Sequence, residues 1–221
     1  MTATTARSAV LIDFGGVLTT SLFDAFKEFG ASIGSDPRLP LTVLANDAEA
    51  AALLVEHEEG RLEDELFEIG FAERLAAHGA TTEAKGLIAR LQAGLKPDPA
   101  MLELVKDLRG QGYLVALVSN SLGRDCYAGF DLDEMFDVVV ISAAVGVRKP
   151  SRRIYEIACE KLGVSPTEAV MIDDLKHNLE GAVSLGIAGI LHTDAEATRL
   201  SLRDFLRPLA ATHTEELNNA V

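Results

Sequence analysis

The chain is poor in cysteine, in positive charge and in long apolar runs, and each shortage removes a class of function. Two cysteines, Cys126 and Cys159, among 221 residues cannot build a disulfide framework. Both stand in apolar, helical-looking sequence and read as reduced packing residues of a cytoplasmic protein. No Cys/His spacing of the metal-binding kind is present. Lysine and arginine number 20 against 34 aspartates and glutamates, a net charge of −14. That argues against nucleic acid or an anionic membrane surface as partner, because phosphate backbones call for clustered Lys and Arg. It leaves room for a small phosphorylated metabolite, whose charge one lysine and one metal ion can meet. No stretch approaches the roughly 20 apolar residues that span a bilayer. The apolar stretch near the N-terminus is broken by Asp13, so no signal peptide is expected. There is no internal repeat and no low-complexity segment.

What remains is the make-up of an ordinary globule, 48% hydrophobic and 24% charged, long enough to bury one α/β core with a smaller insertion. The first element is SAVLIDF, an apolar run that reaches Asp13 and then Gly15-Gly16, hence a buried strand and a turn. From about Leu22 to Gly94 the pattern becomes helical. RLEDELFEIGFAERLAAH sets Leu62, Leu66 and Ile69, and Phe67, Phe71 and Leu75, at helical spacing, and PLTVLANDAEAAALLVEH is rich in Ala and Leu. Three or four helices are predicted there. After Lys96-Pro97-Asp98-Pro99, a helix over 100–109 ends at Gly110-Gln111-Gly112. YLVALVS, DVVVIS, EAVMID and IAGILH follow as four further apolar strands, each separated from the next by a helix. Ser165-Pro166-Thr167-Glu168 has the form of a capping box with proline at the first helical position. Gly186 is placed to close the helix after the fourth strand. Residues 194–209 read as one more amphipathic helix and 212–221 as a frayed end. Five short apolar strands alternating with helices imply an α/β fold whose parallel sheet is covered on both faces. Residues 1–18 and 95–221 are assigned to that core, and 19–94 to an inserted helical cap.

In an open parallel sheet, ligands bind beyond the carboxyl ends of the strands. The first strand delivers Asp13 to that rim, the second Ser119 and Asn120, the fourth Asp173 and Asp174, and GVRKPS adds Lys149. Singly, each has a bland explanation: a helix cap, a turn former, a solvated lysine. Together they converge by independent counting, and two adjacent acids after an apolar run repel each other unless a cation is near. Phosphoryl transfer to a carboxylate needs this set. A dianionic phosphate and an anionic nucleophile repel, and an oxygen-liganded magnesium ion offsets that repulsion. Asp13 would attack in line, with Lys149 and the Ser119 hydroxyl holding the phosphate oxygens and Asn120 beside them. The turn Phe14-Gly15-Gly16 would add backbone N–H donors.

DFGGVL, LVSNS, GVRKP and VMIDDLKHNLEGA resemble, in order, the four motifs of the haloacid-dehalogenase-like (HAD) hydrolase superfamily. The stretch from VGVRKPSRRIYEIACEKLGVSP to IDDLKHNLEGAVSLGI is similar to the N-terminal phosphatase domain of soluble epoxide hydrolases and its bacterial single-domain relatives. The resemblance implies a three-layer Rossmann-like core, Mg2+, and a phosphoaspartate on Asp13. It also implies a metal held by Asp13 and Asp174, by Asp173 directly or through water, and by the Gly15 carbonyl. The cap would supply specificity, with His57 to Arg61 as the contact region, His57 and Arg61 touching substrate.

One position departs from the pattern. Superfamily phosphatases usually carry a second aspartate two residues after the nucleophile, and here that residue is Gly15. Acid–base help worth on the order of 10²–10⁴-fold is then missing unless another group supplies it. A substrate with a good leaving group, an acid on the cap such as His57 or Glu59, or a weakly active binding module would each answer the glycine. A 2-haloacid dehalogenase, which uses an aspartate, a Ser-Asn pair and a lysine without metal, is the other alternative. The intact Asp173-Asp174 pair favours a phosphatase of small phosphate monoesters.

Overall fold

The computed structural model describes residues 7–206. Its five strands, β1 (Ala9–Ile12), β2 (Leu114–Ser119), β3 (Val138–Ile141), β4 (Ala169–Asp173) and β5 (Ala188–Leu191), form one parallel sheet in the order β3-β2-β1-β4-β5. The strands are apolar at almost every position because both faces are covered. Val10, Ile12, Val115, Leu117, Val170 and Ile172 meet Met101, Leu104 and Leu108 on one side, with Leu202. The intervening residues Leu11, Ala116, Val118 and Met171 meet Ile154, Tyr155, Ala158 and Leu179 on the other. This is the predicted layered α/β core. Helices α6 (Pro99–Gly110) and α11 (Ala195–Phe205) cover the first face, and α9 (Arg152–Leu162) and α10 (Lys176–Val183) the second.

Four local expectations change. The segment between β1 and α6 holds five helices rather than three or four: α1 (Leu22–Ser32), α2 (Leu39–Asn46), α3 (Ala48–Glu58), α4 (Asp64–Ala77) and α5 (Leu87–Gln92). The Ala/Leu-rich run is cut at Asp47, whose extended backbone ends α2 and whose side chain accepts the Glu49 and Ala50 N–H groups at 3.0 Å to cap α3. On α4 only one of the two apolar stripes is used. Phe67, Phe71 and Leu75 are fully buried, whereas Leu66 and Ile69 are about half exposed at 55% and 48%. Between β2 and β3 there is no long helix, only a 3₁₀ turn (Arg124–Tyr127) and the single turn α7 (Leu132–Met135). Gly123 and Gly129, both at positive φ, break the chain too often for more. The capping box at Ser165–Glu168 forms, but it opens a 3₁₀ turn (Pro166–Glu168) that runs directly into β4. Within the predicted C-terminal helix, α11 ends at Phe205, and the expectations for Leu209 and for 212–221 lie outside the described residues. Among the described residues no helix is long and apolar enough to cross a membrane.

Register fixes the functional rim. Ile12 lies opposite Leu117 on β2 and Ile172 on β4, and the Asp13 N–H donates to the Ile172 carbonyl at 3.0 Å. The next residues, Asp13 and Asp173, and Ser119 one step further along β2, therefore leave the sheet at the same end. Helices α1–α5 share an apolar cluster around Phe26, Phe29, Phe67, Phe71, Leu75 and Leu91, and they reach this rim through the loop after α3. That loop packs on the one-turn helix α8 (Ser142–Val145). Gly60 adopts φ +72°, and any side chain there would collide with the Ala143 carbonyl, so glycine permits the approach.

Candidate active site

Lys149 is the centre of the site. It is 1% exposed, and its Nζ lies 2.6 Å from Asp13 Oδ1 and 2.7 Å from Asp173 Oδ2. A buried ammonium is tolerable only with such partners. Burial alone would lower the Lys149 pKa, but Asp13 and Asp173 outweigh it and hold the ammonium above its ordinary value. The loop carrying Lys149 is itself clamped. Asn120 Oδ1 accepts the Lys149 N–H at 2.8 Å, and Asn120 Nδ2 donates to the Lys149 carbonyl at 3.2 Å. Asn120 thus positions the lysine.

Asp173 is completely buried, with every oxygen occupied. Oδ1 accepts the Leu175 N–H at 2.9 Å, Asn178 Nδ2 donates to Oδ1 at 3.0 Å and to Oδ2 at 3.1 Å, and Oδ2 also takes Lys149. Asp13 Oδ1 accepts the Phe14 N–H at 2.7 Å, and the Phe14 ring packs edge-on against Tyr127 and Phe130. Burial pushes the Asp13 carboxyl up to about 7, with Lys149 opposing and Asp173 and Asp174 adding to the rise. Burial and the neighbouring Asp173 push Asp174 up to about 6. Gly16 (φ +78°) leaves no room for a side chain, which would strike the Asp174 carboxylate. Gly15 is different: a Cβ there would meet only Leu22 Cβ, at 3.9 Å.

Oxygens from Asp13, Asp173 and Asp174 all lie within 4.8 Å of one another. Three carboxylates face one lysine, so the pocket has an uncompensated negative charge, and its donors are hard oxygen atoms that suit a cation such as Mg2+. The residues fit such an ion. Ser119 is buried beside them, accepting the Tyr127 O–H at 2.9 Å.

Two predicted residues stay out of this cluster. His57 is buried inside the helical insertion, stacked on Phe67 with its Nε2 3.0 Å from Asp64 Oδ1. Arg61 is paired with Glu56 at 2.7 Å and Glu59 at 2.5 Å. Of the three residues between them, Glu58 faces the core instead. Glu58 Oε2 lies 2.6 Å from Arg148 Nε and 3.5 Å from Asn120 Nδ2, and its carbonyl accepts the Ser142 hydroxyl. Sequence reading also passed over Tyr127, Arg148 and Asn178. The last sits five residues after Asp173 in DDLKHN, a spacing that returns one turn of α10 to the strand end.

A family model for haloacid dehalogenase-like hydrolases matches residues 8–186. The sesquiterpene phosphatase astK of Aspergillus oryzae is 31% identical over 51% of this chain and 59% of its own length. The phosphorylated carbohydrates phosphatase of Thermotoga maritima is 28% identical over 84% of this chain and 86% of its own. Relatives of the chain include a 2-haloacid dehalogenase as well as phosphatases, and the chain spans about half the length of several of them. Among solved structures, a HAD family enzyme of Bacteroides thetaiotaomicron, a mutant complexed with magnesium and inorganic phosphate, superposes with a TM-score of 0.63. It is 22% identical over 85% of this chain and 95% of its own, a likeness that speaks for the fold alone. With four ordered motifs, the layered parallel sheet and the acid-lysine rim in place, the chain belongs to the haloacid dehalogenase-like hydrolase family.

Proposed function

We propose that this chain hydrolyses small phosphate monoesters, sugar or metabolite phosphates, with Mg2+, through a phosphoaspartate on Asp13. The observation that carries the reading is the Lys149 ammonium set between Asp13 and Asp173 while a third acid, Asp174, closes the same oxygen cluster. A haloacid carries one negative charge and needs no divalent cation, whereas a phosphate dianion facing these acids does. Phosphatases among the relatives support the same choice. The ion would be held by Asp13, Asp174 and the Gly15 carbonyl, and by Asp173 through water, since the oxygens of Asp173 are already taken by Lys149, Asn178 and Leu175. When bound it supplies positive charge that offsets repulsion between ester and nucleophile. Asp13 attacks phosphorus. Lys149 and Ser119 hold the phosphoryl oxygens, and backbone N–H groups of residues 14–16 add dipoles. Helices α1–α5, residues 19–94, act as the cap over the core formed by the rest of the chain.

The test is release of 4-nitrophenol from 4-nitrophenyl phosphate with added Mg2+. Wild type turns over, and Asp13→Asn loses at least about 10³-fold, as removal of a covalent nucleophile does. No turnover across a panel of phosphate esters overturns the reading in favour of a binding module. Chloride release from a 2-haloacid in the presence of a chelator overturns it in favour of a dehalogenase.

A further inference from the structure

Breaking an alkyl phosphate ester leaves an alkoxide, a very strong base, so a proton must reach the leaving oxygen. The groups around the phosphoryl site are nearly all committed. Asp13 is the nucleophile, and Asp173 is saturated by four hydrogen bonds. Asp174 belongs to the metal cluster. Lys149 is held between two carboxylates. Burial drives the Tyr127 hydroxyl well above its ordinary pKa, and residue 15 has no side chain.

Glu58 stands outside that set: its carboxylate meets Arg148 and Asn120 rather than the three clustered acids, and its backbone is held in place. Ser121 N–H donates to Ser142 Oγ at 2.8 Å, the Ser142 hydroxyl donates to the Glu58 carbonyl, and Gly60 lets the loop press on Ala143. These contacts fix the end of α3 with its last side chain turned towards Asn120 and Arg148. Asn120 in turn clamps Lys149. We propose that Glu58 is the acid–base group of this hydrolase, working across the junction between the helical insertion and the core. The inference rests on the phosphatase reading above.

In the first step the Asp13 oxygen–phosphorus bond forms and the ester P–O bond breaks. The carboxylic proton of Glu58 passes to the departing oxygen, which leaves as a neutral alcohol. In the second step water attacks phosphorus and gives a proton to the Glu58 carboxylate. The bond to Asp13 breaks, releasing phosphate and restoring both acids. The charged groups acting on Glu58 are Arg148 and Lys149, which favour its ionised form, and Glu59, which disfavours it. Burial outweighs the two cations and pushes the carboxyl up to about 7, so both protonation states are accessible near neutrality.

The test compares kcat/KM for a simple alkyl phosphate and for 4-nitrophenyl phosphate, whose leaving group departs without a proton. Glu58→Gln lowers the alkyl value on the order of 10²-fold or more and the aryl value by less than about tenfold. Glu58→Asp, which keeps a titratable carboxyl, recovers part of the alkyl activity. Equal losses on both esters in Glu58→Gln would mark a purely structural role and overturn the proposal, as would no loss on either. If wild type hydrolyses neither ester, the phosphatase reading itself has failed. Turnover of both by wild type with an unselective Glu58→Gln defect sinks only the role of Glu58.

Discussion

Lysine 149 shows why this site resists conservative change. Its charge is stable only because Asp13 and Asp173 sit within 2.7 Å, and Asp173 is stable only because Asn178, Leu175 and Lys149 fill its oxygens. Removing one partner leaves an uncompensated buried charge. Gly15 stands outside this interlock. A Cβ there contacts only Leu22 at 3.9 Å, and Gly15 does not have a positive φ, so the backbone accepts a side chain at this position without strain. Gly15→Asp is expected to raise turnover of simple alkyl phosphates by about tenfold, the low end of what an added acid–base group contributes, because Glu58 already supplies part of that help. An unchanged or lower rate would refute this account of the glycine. In the sequence, Asp13, Ser119, Asp173 and Asp174 were legible because strand ends can be counted from apolar runs, and Lys149 because GVRKPS stands just before the helix that follows the third strand. Glu58 was not, although it lies between two residues that were singled out. Which side chain of HEEGR turns inward depends on where α3 stops and on the Gly60 contact with Ala143, neither of which is encoded by polarity. Asn178 and Tyr127 were hidden for the same reason, since their roles are partnerships across the fold.

The elements show a parallel division. Sheet strands were readable because burial on both faces makes them continuous apolar runs, whereas their order, β3-β2-β1-β4-β5, comes from the structure alone. Helical insertions are harder, because a polar residue between two apolar stretches looks the same whether it breaks the helix or decorates it. Asp47 breaks it. Its Oδ1 caps α3, while its Oδ2 takes Arg74 Nη2 at 2.5 Å and His78 Nε2 at 2.9 Å from α4. One carboxylate thus ties the start of α3 to the end of α4, and the Arg74 hydrogen bond, followed by the Ala50 N–H and His78, holds it well below the usual carboxylate range. A depressed folded-state pKa contributes stability above the unfolded-state value of about 3.9 and loses it as pH falls through the folded one. Asp47→Ala should therefore lower the melting temperature at pH 7, and the gap from wild type should narrow below about pH 4. Asp47→Asn, which keeps the cap but not the charge, should fall between the two. A gap that is constant from pH 7 to pH 3 would remove the ionic part of this argument.

At the scale of the whole molecule, a net charge of −14 repels the anionic esters that the site would accept. At the sheet rim Lys149 and Arg148 are both partnered by acids. Such a protein gains most from a divalent cation bound where substrate lands, and the same field concentrates cations everywhere on the surface. Thermal stability separates the two effects. A ligand that binds only the folded state at about 100 times its Kd stabilises by about 2.7 kcal/mol, and a chain of this size shifts by roughly 2–4 °C per kcal/mol. Saturating Mg2+ should thus raise the wild-type melting temperature by about 5–10 °C. Asp174→Asn keeps nearly all of the surface charge but removes one of the three clustered carboxylates, so its shift should collapse to the small response of the general field. Equal shifts in the two proteins would assign the cation to the surface and leave Asp13 without the charge that its attack on a phosphate dianion requires.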